Sequence, residues 1–570
     1  MTADSSKDMT DRGASTSHDP DVYLLIAAGA VALICALLKM SANHTFWYDE
    51  VTLYVNLRDA PFSGLFGTLP FYDQAAPPLY NMVGSALASL VGLNEFLLRL
   101  PSWLALVGIG ALALTFPRME QRQRAAFCLA SVASYTLLTY SVQAKHYALE
   151  MLVIYLALHA GLAPLRGGAG ALLRLLAYLL LSLASFLAPL VIGALIVFQL
   201  ADGWRVERQV AHSPGLAALA RRHMTRALPL VIGGVAALAV YFLISRSISD
   251  FQFQNYRYTY DVGYARGNVV TFYYGALRRM MDSHRATLAL LSIALFAVGL
   301  ATAAWRRAEL ALPFLALLLA PLLLNLVGVF PLIGGRQSLI LVPSIAYFVS
   351  LGIATVLGAL GGRWRWVAAA LVGVLFLVIP VRWLMTPSGQ ESRQVIEAVR
   401  TQLDARRSPV LTTLGAQPLI DAYLGPFAGP PCTGHPAELL GWTSRCSVAR
   451  KDQSPPGFIG EGTGWIYMNY IGHVAMDGIV FDIPRATAAM WIDDYMRFLR
   501  QQACGTDEAI IALSQLNLAF RARLVKVLET AGTVKLVLDS PPSRKVEDDG
   551  ALMTWERQPD SEGCMPGAAL

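Results

Sequence analysis

Residues 310–330 read LALPFLALLLAPLLLNLVGVF, an apolar run with no charged side chain. A helix rises about 1.5 Å per residue, so about 20 such residues cross a ~30 Å hydrocarbon core. Comparable runs occupy 22–40, 100–116, 125–141, 147–163, 171–184, 186–201, 228–245, 286–304, 337–360 and 366–385. With 310–330 they make about eleven spans, and beyond Met385 they stop. The 570-residue chain is 55% hydrophobic and 15% charged, with mean hydropathy +0.48. Soluble chains carry about 25% charged residues. The expectation is an α-helical polytopic membrane protein whose residues 386–570 form a soluble domain.

Loop charge sets the orientation. With residues 1–21 as a polar, disordered cytoplasmic tail, the inner loops hold Arg118, Arg122, Arg124, Arg166, Arg174, Arg205, Arg208, Arg221, Arg222, Arg226, Arg306, Arg307, Arg363 and Arg365. The outer side before residue 386 has fewer basic residues, many of them between Arg246 and Arg285. If 77–93 also spanned, these inner clusters would face outward. It therefore reads as an interfacial or re-entrant helix in a long first outer loop, 41–99. The first span is too long for a signal-peptide core and reads as an uncleaved anchor of a cell inner (plasma) membrane protein.

The same orientation places 386–570 outside the cytoplasm. Cys432, Cys446, Cys504 and Cys564 all fall there, an even set that an oxidising compartment would pair. Cys432–Cys446 with Cys504–Cys564 is the favoured pairing. Cys35 and Cys128 lie in apolar spans. Alternating helix and strand patterns (394–405, 409–414, 487–502, 509–513, 516–530, 534–539) suggest an α/β domain.

The net charge of +6 sits mostly at span ends, and no basic run with interleaved aromatics suggests nucleic-acid binding. No Walker A, G-x-G-x-x-G, G-x-S-x-G or zinc-type Cys/His spacing occurs, which disfavours nucleotide-driven chemistry.

Unusual polar residues gather at the outer face. After the first span comes Phe46-Trp47-Tyr48-Asp49-Glu50. An interfacial aromatic belt explains the rings but not the paired carboxylates, which suit a general base or a metal ligand. Asp73 follows, then Pro77-Pro78-Leu79-Tyr80, where the prolines open a helix and Asp73 reads equally as a solvated loop residue. Lys145-His146-Tyr147 lies between the third and fourth spans, with Glu150 one turn on as a partner for Lys145. A snorkelling Lys is the plainer reading. Gly334-Gly335-Arg336 precedes the tenth span and suits an anion, or a headgroup-anchored turn.

In this order the motifs resemble the GT-C glycosyltransferases of the protein O-mannosyltransferase and aminoarabinose-transferase type (glycosyltransferase family 39-like), over roughly residues 20–385. The supporting segments are Trp47–Glu50, Asp73 with Pro77–Tyr80, Gly92-Leu93-Asn94-Glu95-Phe96-Leu97-Leu98-Arg99-Leu100-Pro101-Ser102, Lys145–Tyr147 and Gly334–Arg336. The resemblance implies a polyprenyl-phosphate sugar donor and an acceptor hydroxyl on protein, lipid or polysaccharide. It implies Asp49 as base with Glu50 its companion, and Lys145, His146 and Arg336 at the lipid phosphate. Asp73, Pro77, Pro78, Tyr80 and Tyr147 would line the substrate cavity, with juxtamembrane helices in the first outer loop. Asp49, Glu50 and Asp73 are candidate ligands for a divalent metal, which the sequence does not demand. Where relatives carry His or Lys before the Pro pair, this chain has Ala76. A flippase of lipid-linked sugars and a non-catalytic scaffold are the competing readings.

Overall fold

The computed structural model of the chain describes residues 19–42, 45–67, 69, 75–164, 167–209, 216–245, 264–265, 268–281, 286–306, 309–332, 335–386, 393–406, 410–412, 417–424, 500, 504, 508–513, 518–539 and 551–558. Every expected span carries helix. α1 is Pro20–Ser41, with Pro20 in its first turn, Asp21 beside it and Lys39 in the last turn, an order that complements the helix dipole. Two helices within 41–99 follow, α2 (Tyr48–Asp59) and α3 (Pro78–Val91). At 14 residues α3 rises about 21 Å, short of a ~30 Å core, as are several other apolar helices of the body.

The membrane helices continue as α4 (Glu95–Leu114), α5 (Gln121–Val132), α6 (Tyr135–Ser141), α7 (Tyr147–Leu162), α8 (Gly167–Ala184), α9 (Ala188–Gln209) and α10 (Leu216–Ser245). Then come α11 (Val269–Met281), α12 (Ala286–Trp305), α13 (Ala311–Leu326), α14 (Val342–Ala359, led in by a 3-10 turn at Arg336–Leu341) and α15 (Gly362–Met385). One expectation needs correcting. The third span is not one helix but α5 and α6, broken where Ser134 turns extended. The apolar run continues through the break, so hydropathy gave no sign of it. Among the described residues, six helices are long and apolar enough to cross a membrane by themselves, and several others are shorter apolar pieces.

Packing follows membrane logic. Apolar side chains such as Leu200, Val235 and Leu243 point outward, while Phe116, Phe127, Tyr155, Phe314, Tyr347 and Phe348 fill the interior. Phe314 and Tyr347 stack at 4.1 Å, and Ser131 shares a 2.7 Å hydrogen bond with Tyr155. α12 crosses α14 at Gly299 and Gly352. A methyl on either glycine would run into a backbone carbonyl of the facing helix. Lipid offers no hydrophobic drive between helices, so such backbone proximity is what holds a pair together.

Beyond the membrane helices lie α16 (Arg393–Arg406), β1 (Val410–Thr412), α17 (Gln417–Leu424), β2 (Glu508–Leu513), α18 (Leu518–Glu529), β3 (Gly532–Asp539) and β4 (Ala551–Arg557). The sheet order is β1-β2-β4-β3, with β1 parallel to β2 and the other pairs antiparallel. Trp555 is fully buried and donates its indole N–H to the Leu528 carbonyl at 3.1 Å. The expected helices and strands at 394–405, 409–414, 509–513, 516–530 and 534–539 coincide with these elements; α17 and β4 were not expected. The expected helix 487–502 lies, except for Arg500, outside the described residues. Cys504 is disulfide-bonded and Cys35 and Cys128 are free, while Cys432, Cys446 and Cys564 lie outside the described residues.

Candidate active site

Four segments meet at one end of the helical body: the start of α2, the N-terminus of α3, the turn between α6 and α7, and the 3-10 turn at Arg336. The start of α2 is fixed by Glu50. Its carboxylate accepts from Arg99 Nε at 2.9 Å and Arg99 Nη2 at 2.7 Å, a bidentate pair buried on both sides. It also accepts from the backbone N–H of Ala144 at 2.6 Å and of Trp47 at 3.2 Å. Arg99 donates further to the Thr45 carbonyl at 3.1 Å, and its guanidinium lies 5.1 Å from the Phe46 ring centre. One buried ion pair thus ties α2, α4 and the α6–α7 turn together.

That anchoring leaves Asp49, one residue earlier, with its side chain 24% exposed. It faces Arg336, whose Nη1 stands 3.4 Å from Asp49 Oδ2 and donates to the Tyr147 hydroxyl at 3.0 Å. Tyr140 packs on Tyr147, ring centres 4.8 Å apart. Lys145 is buried beside them. Burial pushes its ammonium down to about 8, against the pull of Asp49 and with the repulsion of Arg336 adding to the fall. Asp49 is the carboxylate that acts most on Lys145; Glu150, the expected partner, accepts from the Ser185 hydroxyl at 2.6 Å.

His146 touches Tyr147 (ring centres 4.2 Å), Tyr80 (6.0 Å) and Phe186 (6.0 Å). Burial first, then the charges of Lys145 and Arg336, hold it well below the ordinary histidine range, so its imidazole is neutral. Its Nδ1 is buried with no hydrogen-bond partner among the described residues. Pro77 and Pro78 open α3 and are buried, and Asn81 straps the segment by donating to the carbonyls of Leu65 (2.8 Å) and Ala76 (3.0 Å). This delivers Tyr80 to the cluster.

The structure therefore brings Asp49, Lys145, His146, Tyr147, Arg336 and Tyr80 together, with Glu50 behind them. Asp73 lies outside the described residues. Among the described residues no group of three His, Cys, Asp or Glu side chains is placed to hold a metal ion. Arg99, Tyr140 and Tyr423 belong to the site's support and were not singled out for it. For Arg99 a signal existed, since a charge in an apolar helix start needs a buried partner.

The multi-pass helical body followed by a C-terminal part with a four-stranded sheet has a fold shared with solved structures of the GT-C type. Among solved structures it is similar to ArnT from Cupriavidus metallidurans bound to undecaprenyl phosphate, with TM-score 0.52 and 14% identity over 93% of this chain and 97% of that one. It is also similar to the apo oligosaccharyltransferase of Archaeoglobus fulgidus, with TM-score 0.45 and 11% identity over 71% of this chain and 64% of that one. No protein-family model and no curated protein matches the sequence.

Proposed function

We propose that the chain is an integral membrane glycosyltransferase that moves a sugar from a polyprenyl-phosphate donor to an acceptor hydroxyl at the outer face of the cytoplasmic membrane. The observation that carries this reading is the contact chain Asp49–Arg336–Tyr147, with Lys145 and His146 beside it. A base and a phosphate clamp within one side chain's reach are what transfer from a sugar phosphate requires. That ArnT of the same fold was solved with undecaprenyl phosphate supports the lipid-phosphate part of the reading.

In the proposed reaction the acceptor hydroxyl gives its proton to the Asp49 carboxylate. Its oxygen bonds to the anomeric carbon, and the bond from that carbon to the phosphate oxygen breaks. The electron pair stays on the departing polyprenyl phosphate, whose charge Arg336 and Lys145 balance. Neutral His146 and the Tyr147 hydroxyl would add hydrogen bonds without further charge. Glu50 acts through position, because both of its oxygens are already engaged. Among the described residues, Trp47 Nε1, Gln143 Oε1 and Gln337 Oε1 on the same segments are buried without partners, and sugar hydroxyls would satisfy them.

In cells where Asp49→Asn replaces the native chain, mass spectrometry should show the polyprenyl-phosphate sugar accumulating and one class of outer-face glycan lost. Unchanged glycans would remove Asp49 from the chemistry. A donor trapped on the cytoplasmic face would favour the flippase.

A further inference from the structure

Among the described residues, the C-terminal domain hydrogen-bonds the start of the α2 segment through Tyr423. Tyr423, on α17, accepts a hydrogen bond from the Phe46 backbone N–H at 2.8 Å and donates to Glu95 Oε1 at 3.0 Å. Its ring meets Phe46 edge-on, centres 6.5 Å apart. Around it, Leu419 and Ala422 of α17 are buried in one cluster with Phe46, Val51, Leu53, Tyr54 and Val55. Arg393 of α16 pairs with the same Glu95 at 3.2 Å. Burial and the Glu95 carboxylate raise the Tyr423 hydroxyl above its ordinary range, so it stays protonated and can make both bonds at once.

The segment 45–50 is therefore held from three directions. Arg99 takes the Thr45 carbonyl and the Glu50 carboxylate, Ala144 takes Glu50, and Tyr423 takes the Phe46 amide. Membrane elements supply the first two anchors and the C-terminal domain supplies the third. Asp49 follows Phe46 by less than one helical turn, so tilting of this segment moves its carboxylate relative to Arg336.

We infer that Tyr423 is a positioning residue for Asp49, through which the C-terminal domain completes the site in the membrane body. The inference rests on the proposed transfer reaction. A shift of about 1 Å at a reacting group costs up to ~100-fold in rate, so loss of one anchor of three should lower kcat about tenfold. The Tyr423 hydroxyl bonds to Phe46 and Glu95 rather than to Lys145, His146 or Arg336, so the donor KM should stay within about twofold of wild type.

The test compares full-length wild type with Tyr423→Phe, which keeps the ring and removes only the hydroxyl. Two readouts are taken: steady-state transfer from a polyprenyl-phosphate sugar, and amide hydrogen exchange of the peptide spanning residues 45–50. Faster exchange with kcat down and donor KM unchanged is expected. Unchanged exchange, or faster exchange with wild-type kcat, overturns the inference while an active wild type leaves the proposed reaction standing. No transfer by wild type overturns the proposed reaction and this inference with it. A donor KM that rises together with the fall in kcat would mark general loosening of the fold, and overturns positioning as the cause.

Discussion

Burial pushes the Lys145 ammonium down to about 8 from an ordinary 10.5. Between those values the unfolded chain binds more protons at this group than the folded one. Its contribution to stability is thus lost as pH falls through about 8 and recovered as pH rises towards 10.5. In the proposed reaction the dependence runs the other way, because only the protonated ammonium would help to bind a phosphate. The kcat/KM profile should fall above about pH 8, by roughly tenfold per unit where this group limits, and Lys145→Arg should move that limb to higher pH. A limb unmoved by the substitution would assign it to another group. The Glu50–Arg99 pair makes a second prediction. Arg99→Met leaves a buried carboxylate unpaired and should cost about 3–5 kcal/mol in denaturant unfolding, whereas Arg99→Met with Glu50→Met should cost less. Asp49 and Glu50 looked alike in the sequence, adjacent and both acidic. Their roles part only in space, where Glu50 meets an arginine 49 residues away and Asp49 meets one 287 residues away.

At the scale of elements, the spans were legible because hydropathy is a local property and each helix buries its own backbone hydrogen bonds. A helix opening at the Pro77-Pro78 pair was legible too, since proline suits a helix's first turn. The break between α5 and α6 was not, since apolar residues run through it and only packing against neighbours reveals it. The α12–α14 crossing shows a further limit: Gly299 and Gly352 are ordinary glycines in the sequence and become a contact only when the helices cross. Gly352→Leu should cost about 3 kcal/mol or more, measured by unfolding in detergent. Gly193→Ala, where an added methyl meets nothing within 4 Å, should stay near wild type. Equal stability of the two variants would deny the close crossing.

Over the whole molecule, contacts between distant parts place the C-terminal domain on the face of the first outer loop. Tyr423 and Phe46 are 377 residues apart, and Arg393 and Glu95 are 298 apart. No sequence pattern reports such a pairing, so the contact was hidden even though most of the domain's described helices and strands were expected. If that face is extracytoplasmic, protease added to right-side-out membrane vesicles should cleave beyond Met385; cleavage confined to inverted vesicles would reverse the orientation. The account's central claim is that Asp49 and the cations around it transfer a sugar from a lipid phosphate. Its most direct measurement is release of polyprenyl monophosphate by the purified chain, given a labelled polyprenyl-phosphate sugar and an extract of outer-face acceptors. Release by wild type, and its loss by at least about 100-fold in Asp49→Asn with donor binding retained, is the predicted result. Undiminished release by Asp49→Asn would contradict it.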